Sequence, residues 1–355
     1  MSLIAVMGMA MPISPTLVTM GDANQLVRSR RDFETRAGVH SIRFESHLSY
    51  AALGQLDRLF GRSDDAPERA QRTLARAATV WFAACALGVL RLERWSPHAL
   101  RYVGLALLAP VALLYFGWRE FGYLSLNIAA FPLILRGLRD GGTPLRVGSV
   151  LCGLGAAFHG WGLVSLAGAL AAALAAPRPG KERLAAALHI AAWGTAAYVG
   201  WIAIYVIALQ LPIVPGHVEA IPWRPWFEDA IFQGRLNPAV FSARGGLELL
   251  MIGWVVGAPL IAVAASLWRD YGDEVRAALA YALPSVLITL TVWHTQGPFD
   301  DMDVVVAVFP GIFPLIWVCA RSPRHAIVAA ALLASAHLGF WRLVFDTRFR
   351  NSPLS

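Results

Sequence analysis

The sequence predicts an all-α protein, a polytopic transmembrane helical bundle of about eleven helices, and three observations predict it. Hydrophobic residues make up 57% of the 355-residue chain and charged residues only 15%, against about 25% charged in a soluble domain; mean hydropathy is +0.54. The charges are also segregated, since VGLALLAPVALLYFGW, LAAALHIAAWGTAAYVGWIAIYVIAL and LLMIGWVVGAPLIAVAASLW contain none. Such runs match the roughly 20 apolar residues a helix needs to cross the hydrocarbon core. Finally, the runs lack the period-two alternation and the short length of barrel strands. Helices then remain as the structure that pairs every backbone group within a bilayer.

Taken in order, the first expected span covers about 3–20. No basic segment precedes it and it holds Pro12 and Pro15, so it reads as a retained span rather than a cleaved signal peptide. A polar stretch, 21–72, follows. Spans are expected at 73–90, 102–118 and 121–136. The apolar run 147–176 is too long for one crossing and is interrupted by FHGWG, which predicts two short helices meeting at 159–162. Further spans are expected at 185–211, 247–267, 277–293, 303–320 and 325–341. The whole chain, 1–355, reads as one transmembrane domain with large extracytoplasmic loops at 21–72 and 212–246.

Charge orients this arrangement. With a cytoplasmic N-terminus the inside links are RLERWSPHALR, RGLRDGGTPLR, PRPGKER, WRDYGDEVR and RSPRH, each carrying at least two basic residues. This is the positive-inside pattern, and it requires 147–176 to be a broken pair. The net charge of +7 and isoelectric point near 9.8 are therefore spent on short links, not on a nucleic-acid-binding stripe, and no nucleic-acid partner is expected. Cys85, Cys152 and Cys319 lie in apolar helices without metal-ligand spacing and read as core residues.

The residues suited to chemistry gather in the outside segments. Asp22 follows Gly21 at the end of the first span. It is either a solvated capping carboxylate or a base held within reach of a hydroxyl. The stretch FESHLSYAALGQLDRLFG places Leu48, Ala52, Leu56, Leu59 and Phe60 on one face, as a short amphipathic surface helix would. His47 at its entry suits substrate phosphate or a proton shuttle, or else a hydrogen bond to its own loop. Arg119 and Glu120 form a tight link, WREFG, between spans. They are a snorkelling anchor pair or a phosphate-binding arginine beside a second carboxylate. His159 sits where non-helical backbone is expected at membrane depth, which requires burial in protein or a polar cavity; close glycine packing is the competing account. In 212–246, Trp223 and Arg224 combine an aromatic face with a cation, either as interfacial anchors or as a sugar-phosphate site. HTQGPFDDMD adds Asp300 and Asp301, a loop tip or a site for a divalent cation. No zinc motif, P-loop, Rossmann fingerprint or nucleophile elbow is present, and no metal ligand set is assigned.

With these loops in place the chain resembles the GT-C superfamily of membrane glycosyltransferases, which take sugars from polyprenyl-phosphate donors. The resemblance rests on GD at 21–22 directly after span one, HLSY at 47–50, the broken HGWG helix, and a late outside loop before the proline-containing span DDMDVVVAVFPGIFP. It implies that Asp22 is the catalytic base and that Glu120 assists it, with inverting transfer to an acceptor at the extracytoplasmic face of a bacterial inner membrane. Partners are then a polyprenyl-phosphate-linked sugar and membrane lipids. Against the family pattern the chain reads as short, without an expected soluble C-terminal domain or Arg-Tyr-rich late-loop motif. Two other functions fit the same topology. A lipid-linked glycan polymerase or ligase would use the Arg and His residues of 212–246. A transporter or flippase would need ionisable groups inside spans, for which His159, His189 and His337 are the candidates.

Overall fold

The computed structural model describes residues 67–108, 118–158, 162–204, 258–296 and 301–335. Among these residues there is no strand. The helices are α1 (Pro67–Leu92), α2 (Pro97–Leu108), α3 (Trp118–Asp140), α4 (Gly142–Phe158), α5 (Leu163–Ala175), α6 (Gly180–Ala203), α7 (Ala258–Ala265), α8 (Trp268–Gln296) and α9 (Asp301–Cys319), then α10 over 323–335. The all-α expectation holds for this part of the chain. The first expected span, the surface helix within 44–61 and the loop 212–246 lie outside the described residues. No helix among the described residues is long and apolar enough to cross a membrane; the expected spans 102–118, 185–211 and 247–267 each extend past them.

Local chemistry sets the helix ends. Prolines open α1 and α2, where a missing N–H costs nothing. Between them Arg94 and Trp95 adopt left-handed backbone, φ 50° and 56°, and the Trp95 N–H closes onto the Leu90 carbonyl at 2.7 Å. Two left-handed non-glycine residues are costly, roughly 1–2 kcal/mol each, in exchange for a very short reversal. The α3–α4 reversal avoids that cost. It is made by Gly141 and Gly142, φ 71° and 65°, which lack the β-carbon that opposes this conformation.

The long apolar run 147–176 is two helices, as the FHGWG interruption predicts. α4 ends at Phe158 and α5 begins at Leu163. They form an antiparallel hairpin, because Arg178, just past α5, donates to the Arg139 carbonyl just before α4 at 2.6 Å. α4 also packs along α6, where a β-carbon on Gly153 would run into the Gly194 carbonyl. The two backbones touch there, as small residues allow.

α3 contains Pro132, which cannot donate to the carbonyl four residues earlier, that of Ile128. The orphaned oxygen is satisfied from another helix: the Tyr102 hydroxyl of α2 donates to it at 2.8 Å. Tyr102 is fully buried, with its ring edge-on to Trp317 at 4.9 Å. α9 is the central element. It packs against α8, α3, α7, α2 and α5, and every residue from 310 to 320 is buried, as a helix apolar on all sides requires.

Large apolar side chains also lie on the outer surface. Val80 and Leu87 on α1, Leu184 and Leu188 on α6, Leu287 on α8 and Ile327 on α10 are each more than half exposed. Ser125, Asn127, Ser149, Ser165 and Ser285 are buried.

Candidate active-site end and the opposing ionic clamp

The five basic links lie at one end of the bundle, joined by named contacts. Arg136 donates to the Leu92 carbonyl at 3.3 Å, and Arg178 to that of Arg139. Arg101 Nε donates to the Ala320 carbonyl at 2.7 Å, and His325 Nε2 is 3.1 Å from Ser266 Oγ. At the centre is Glu274, whose side chain is only 8% exposed. Arg321 grips it in bidentate fashion, Nε to Oε2 and Nη2 to Oε1 both at 2.8 Å, and Arg139 holds Oε1 as well. The planar guanidinium matches the carboxylate. Burial pushes the Glu274 carboxyl pKa upward, but the hydrogen bonds and charges of Arg321, then Arg139, outweigh it and hold the pKa below the ordinary carboxylate value. A carboxylate so occupied ties α3, α8 and the α9–α10 turn together; it is not available as a base.

Beside this clamp His98, in the link 91–101, places Nε2 3.0 Å from the Trp317 carbonyl. A carbonyl only accepts, so Nε2 carries the proton. The buried Nδ1 has no hydrogen-bond partner. Burial first of all lowers the His98 pKa to about 4, which keeps the ring neutral at physiological pH and edge-on to Trp317 at 4.2 Å.

Helix direction then fixes where the candidate catalytic residues lie. α3 reaches the basic end at Asp140, so its start at Trp118 is about 30 Å away at 1.5 Å per residue. Arg119 and Glu120 occupy its first turn. This corrects the expected tight link: WREFG is helical, and an acid in the first turn is favoured by the helix dipole. α9 ends at the basic end with Cys319, so Asp301, its first residue, is about 27 Å from that end. Asp301 is therefore in helical backbone, while 297–300 of HTQGPFDDMD lie outside the described residues. Since α3 packs on α9, Glu120 and Asp301 share the end of the bundle remote from the basic links. α4 also finishes toward that end at Phe158, next to His159. Asp22, His47, His159, Trp223, Arg224 and Asp300 lie outside the described residues.

Between the two ends runs a buried polar contact. The Tyr281 hydroxyl is 3.5 Å from Asn127 Oδ1 and 3.6 Å from Cys152 Sγ. Asn127 follows Glu120 by seven residues, about 10 Å along α3. Among the described residues no group of three or more His, Cys, Asp or Glu could hold a metal ion. His189, a transporter candidate, lies 6.2 Å from the Trp193 ring, its Nε2 buried and without a hydrogen-bond partner.

Glu274, His98 and Tyr281 did not stand out in the sequence. Glu274 had a readable signal, since it lies in phase with the apolar residues Ala277, Ala278 and Tyr281, the pattern of an inward helix face. No protein-family model matches the chain, and no curated protein or solved structure does.

Proposed function

We propose that the chain is an integral-membrane, multi-pass glycosyltransferase of a bacterial inner membrane, moving a sugar from a polyprenyl-phosphate donor to an acceptor hydroxyl at the extracytoplasmic face. The observation that carries this reading is the polarity of the bundle. Five arginine-bearing links are knitted into one end, while the helix starts bearing Glu120 and Asp301 share the other. The belt of exposed Leu, Val and Ile on α1, α6, α8 and α10 suits lipid as the surrounding solvent, and large exposed apolar surfaces are rare on soluble monomers.

In this reading Asp22 takes the proton of the acceptor hydroxyl. The acceptor oxygen bonds to the anomeric carbon from the face opposite the leaving group, the bond from that carbon to the phosphate oxygen breaks, and the configuration inverts. Polyprenyl phosphate departs with the electron pair, its charge held by Arg119 or Arg224, whose planar guanidinium suits phosphate. Glu120 orients the acceptor beside Asp22. Charge stabilisation at the phosphate is the main requirement, so no covalent intermediate on the protein is needed. Trp223, His47 and His159 would line the sugar and lipid-phosphate path, and Asp300 with Asp301 would hold a divalent cation if one assists.

The test is sugar transfer from a panel of polyprenyl-phosphate sugars by membranes containing the full chain, with Asp22→Asn alongside. Transfer that falls by about a hundredfold or more in the variant supports the assignment; undiminished transfer removes Asp22 as the base. Translocation of the lipid-linked sugar without transfer would favour the flippase function instead.

A further inference from the structure

The basic end of the bundle holds more charge than its internal contacts use. The five links 91–101, 136–146, 177–183, 268–276 and 321–325 contain thirteen Arg and Lys against six Asp and Glu. Of the acids, Glu274 is buried and taken by Arg139 and Arg321, and Asp140 faces Arg136 at 3.7 Å. Arg101, Arg136, Arg178 and Arg183 are turned onto backbone carbonyls at or beside helix ends. Arg91, Arg94, Lys181, Arg269 and Arg324 are exposed. The side chains of these five make no hydrogen bond or ion pair to another described residue. Two exposed tryptophans flank them. Trp95, 56% exposed, is carried outward on the left-handed turn with Arg94. Trp268, 46% exposed, has the Arg276 guanidinium 5.8 Å from its ring centroid. Exposed indoles beside exposed arginines and lysine are the arrangement of an interfacial anchor.

We propose that this end binds the headgroups of anionic phospholipids, with Arg91, Arg94, Lys181 and Arg324 as the phosphate-facing cations and Trp95 and Trp268 at the acyl boundary. Charge complementarity selects the occupant. Each Lys or Arg near an anionic leaflet contributes to binding, and the effect is screened by salt. The proposal rests on the membrane reading above but not on the transferase chemistry.

The test reconstitutes the full chain in nanodiscs of phosphatidylcholine and measures the competition between phosphatidylglycerol and phosphatidylcholine for the protein-contacting shell. A preference of about tenfold for phosphatidylglycerol is expected at low salt, shrinking at high salt. In the variant carrying Arg91→Gln, Arg94→Gln, Lys181→Gln and Arg324→Gln it falls to about twofold or less. The variant's circular dichroism and its unfolding temperature in pure phosphatidylcholine check that it still folds. Should it fail to fold, Trp95→Ala with Trp268→Ala is read in its place and is expected to weaken the same preference. Equal affinity for the two lipids, or an undiminished preference in a folded variant, overturns the proposal and leaves the membrane reading standing. A chain that enters neither lipid overturns both.

Discussion

Replacing Tyr102 with phenylalanine removes one oxygen from a fully buried side chain and leaves the ring edge-on to Trp317 in place. What is lost is the hydrogen bond to the Ile128 carbonyl, an acceptor that Pro132 leaves without its intrahelical donor. A buried carbonyl stripped of its partner costs about 1–3 kcal/mol, so Tyr102→Phe should destabilise the chain by roughly 2 kcal/mol. The same logic prescribes a rescue. Pro132→Ala restores an N–H aimed at the Ile128 oxygen, and in that background Tyr102→Phe should cost only about 0.5 kcal/mol or less. Any cost of the smaller alanine side chain cancels in the double-mutant cycle. The measurement is reversible unfolding of the full chain and its three variants in detergent, followed by circular dichroism. Additive effects, with Tyr102→Phe costing the same in both backgrounds, would refute the claim that the tyrosine repairs the proline defect.

Two further predictions concern the basic end. Glu274→Gln keeps the shape but removes the charge that holds Arg139 and Arg321, and breaking a buried ion pair from one side costs about 3 kcal/mol. The lower part of that range applies because the Arg139 side chain is 52% exposed and partly screened. Unfolding of Glu274→Gln, Arg321→Gln and the double variant should reveal coupling, and independent effects would show that the clamp does not act as a unit. His98 contributes a pH dependence. Its pKa is lowered from 6.5 to about 4, so between those values the unfolded chain binds more protons and stability rises with pH. The full contribution, about 3 kcal/mol, is present above pH 6.5 and is lost as pH falls toward 4. His98→Gln should flatten the stability profile in that window, and an unchanged slope there would exclude His98 as its cause. Glu274, with a depressed carboxyl pKa, acts in the same direction only below the ordinary carboxylate range. The two groups are therefore separable by pH.

How much of this was legible in the sequence differs by the range of the interaction. The break between α4 and α5 was readable because a 30-residue apolar run exceeds one helix, and FHGWG supplies the residues that interrupt it. The gathering of the five links was readable for a related reason: each is short, so each returns the chain to the end it left, and alternate links must share an end. The extent of α3 and the kink in α8 at Tyr271 (φ −136°, ψ 36°) were not readable, because apolar periodicity marks where a helix is buried and not where it stops. Nor was the repair of Pro132 by Tyr102, which lie on different helices, or the capture of Glu274 by Arg139 and Arg321. These depend on which faces meet, and one sequence does not encode that locally. The candidate site sits between the two cases. Glu120 and Asp301 reach the same end because helices of similar length start there and finish at the basic links, a consequence of topology that charge counting already implied. Whether they converge on Asp22 depends on side-chain geometry, and there periodicity has no bearing. A charge pattern can thus sort residues to one end of a bundle, but only contact between helices makes a site of them.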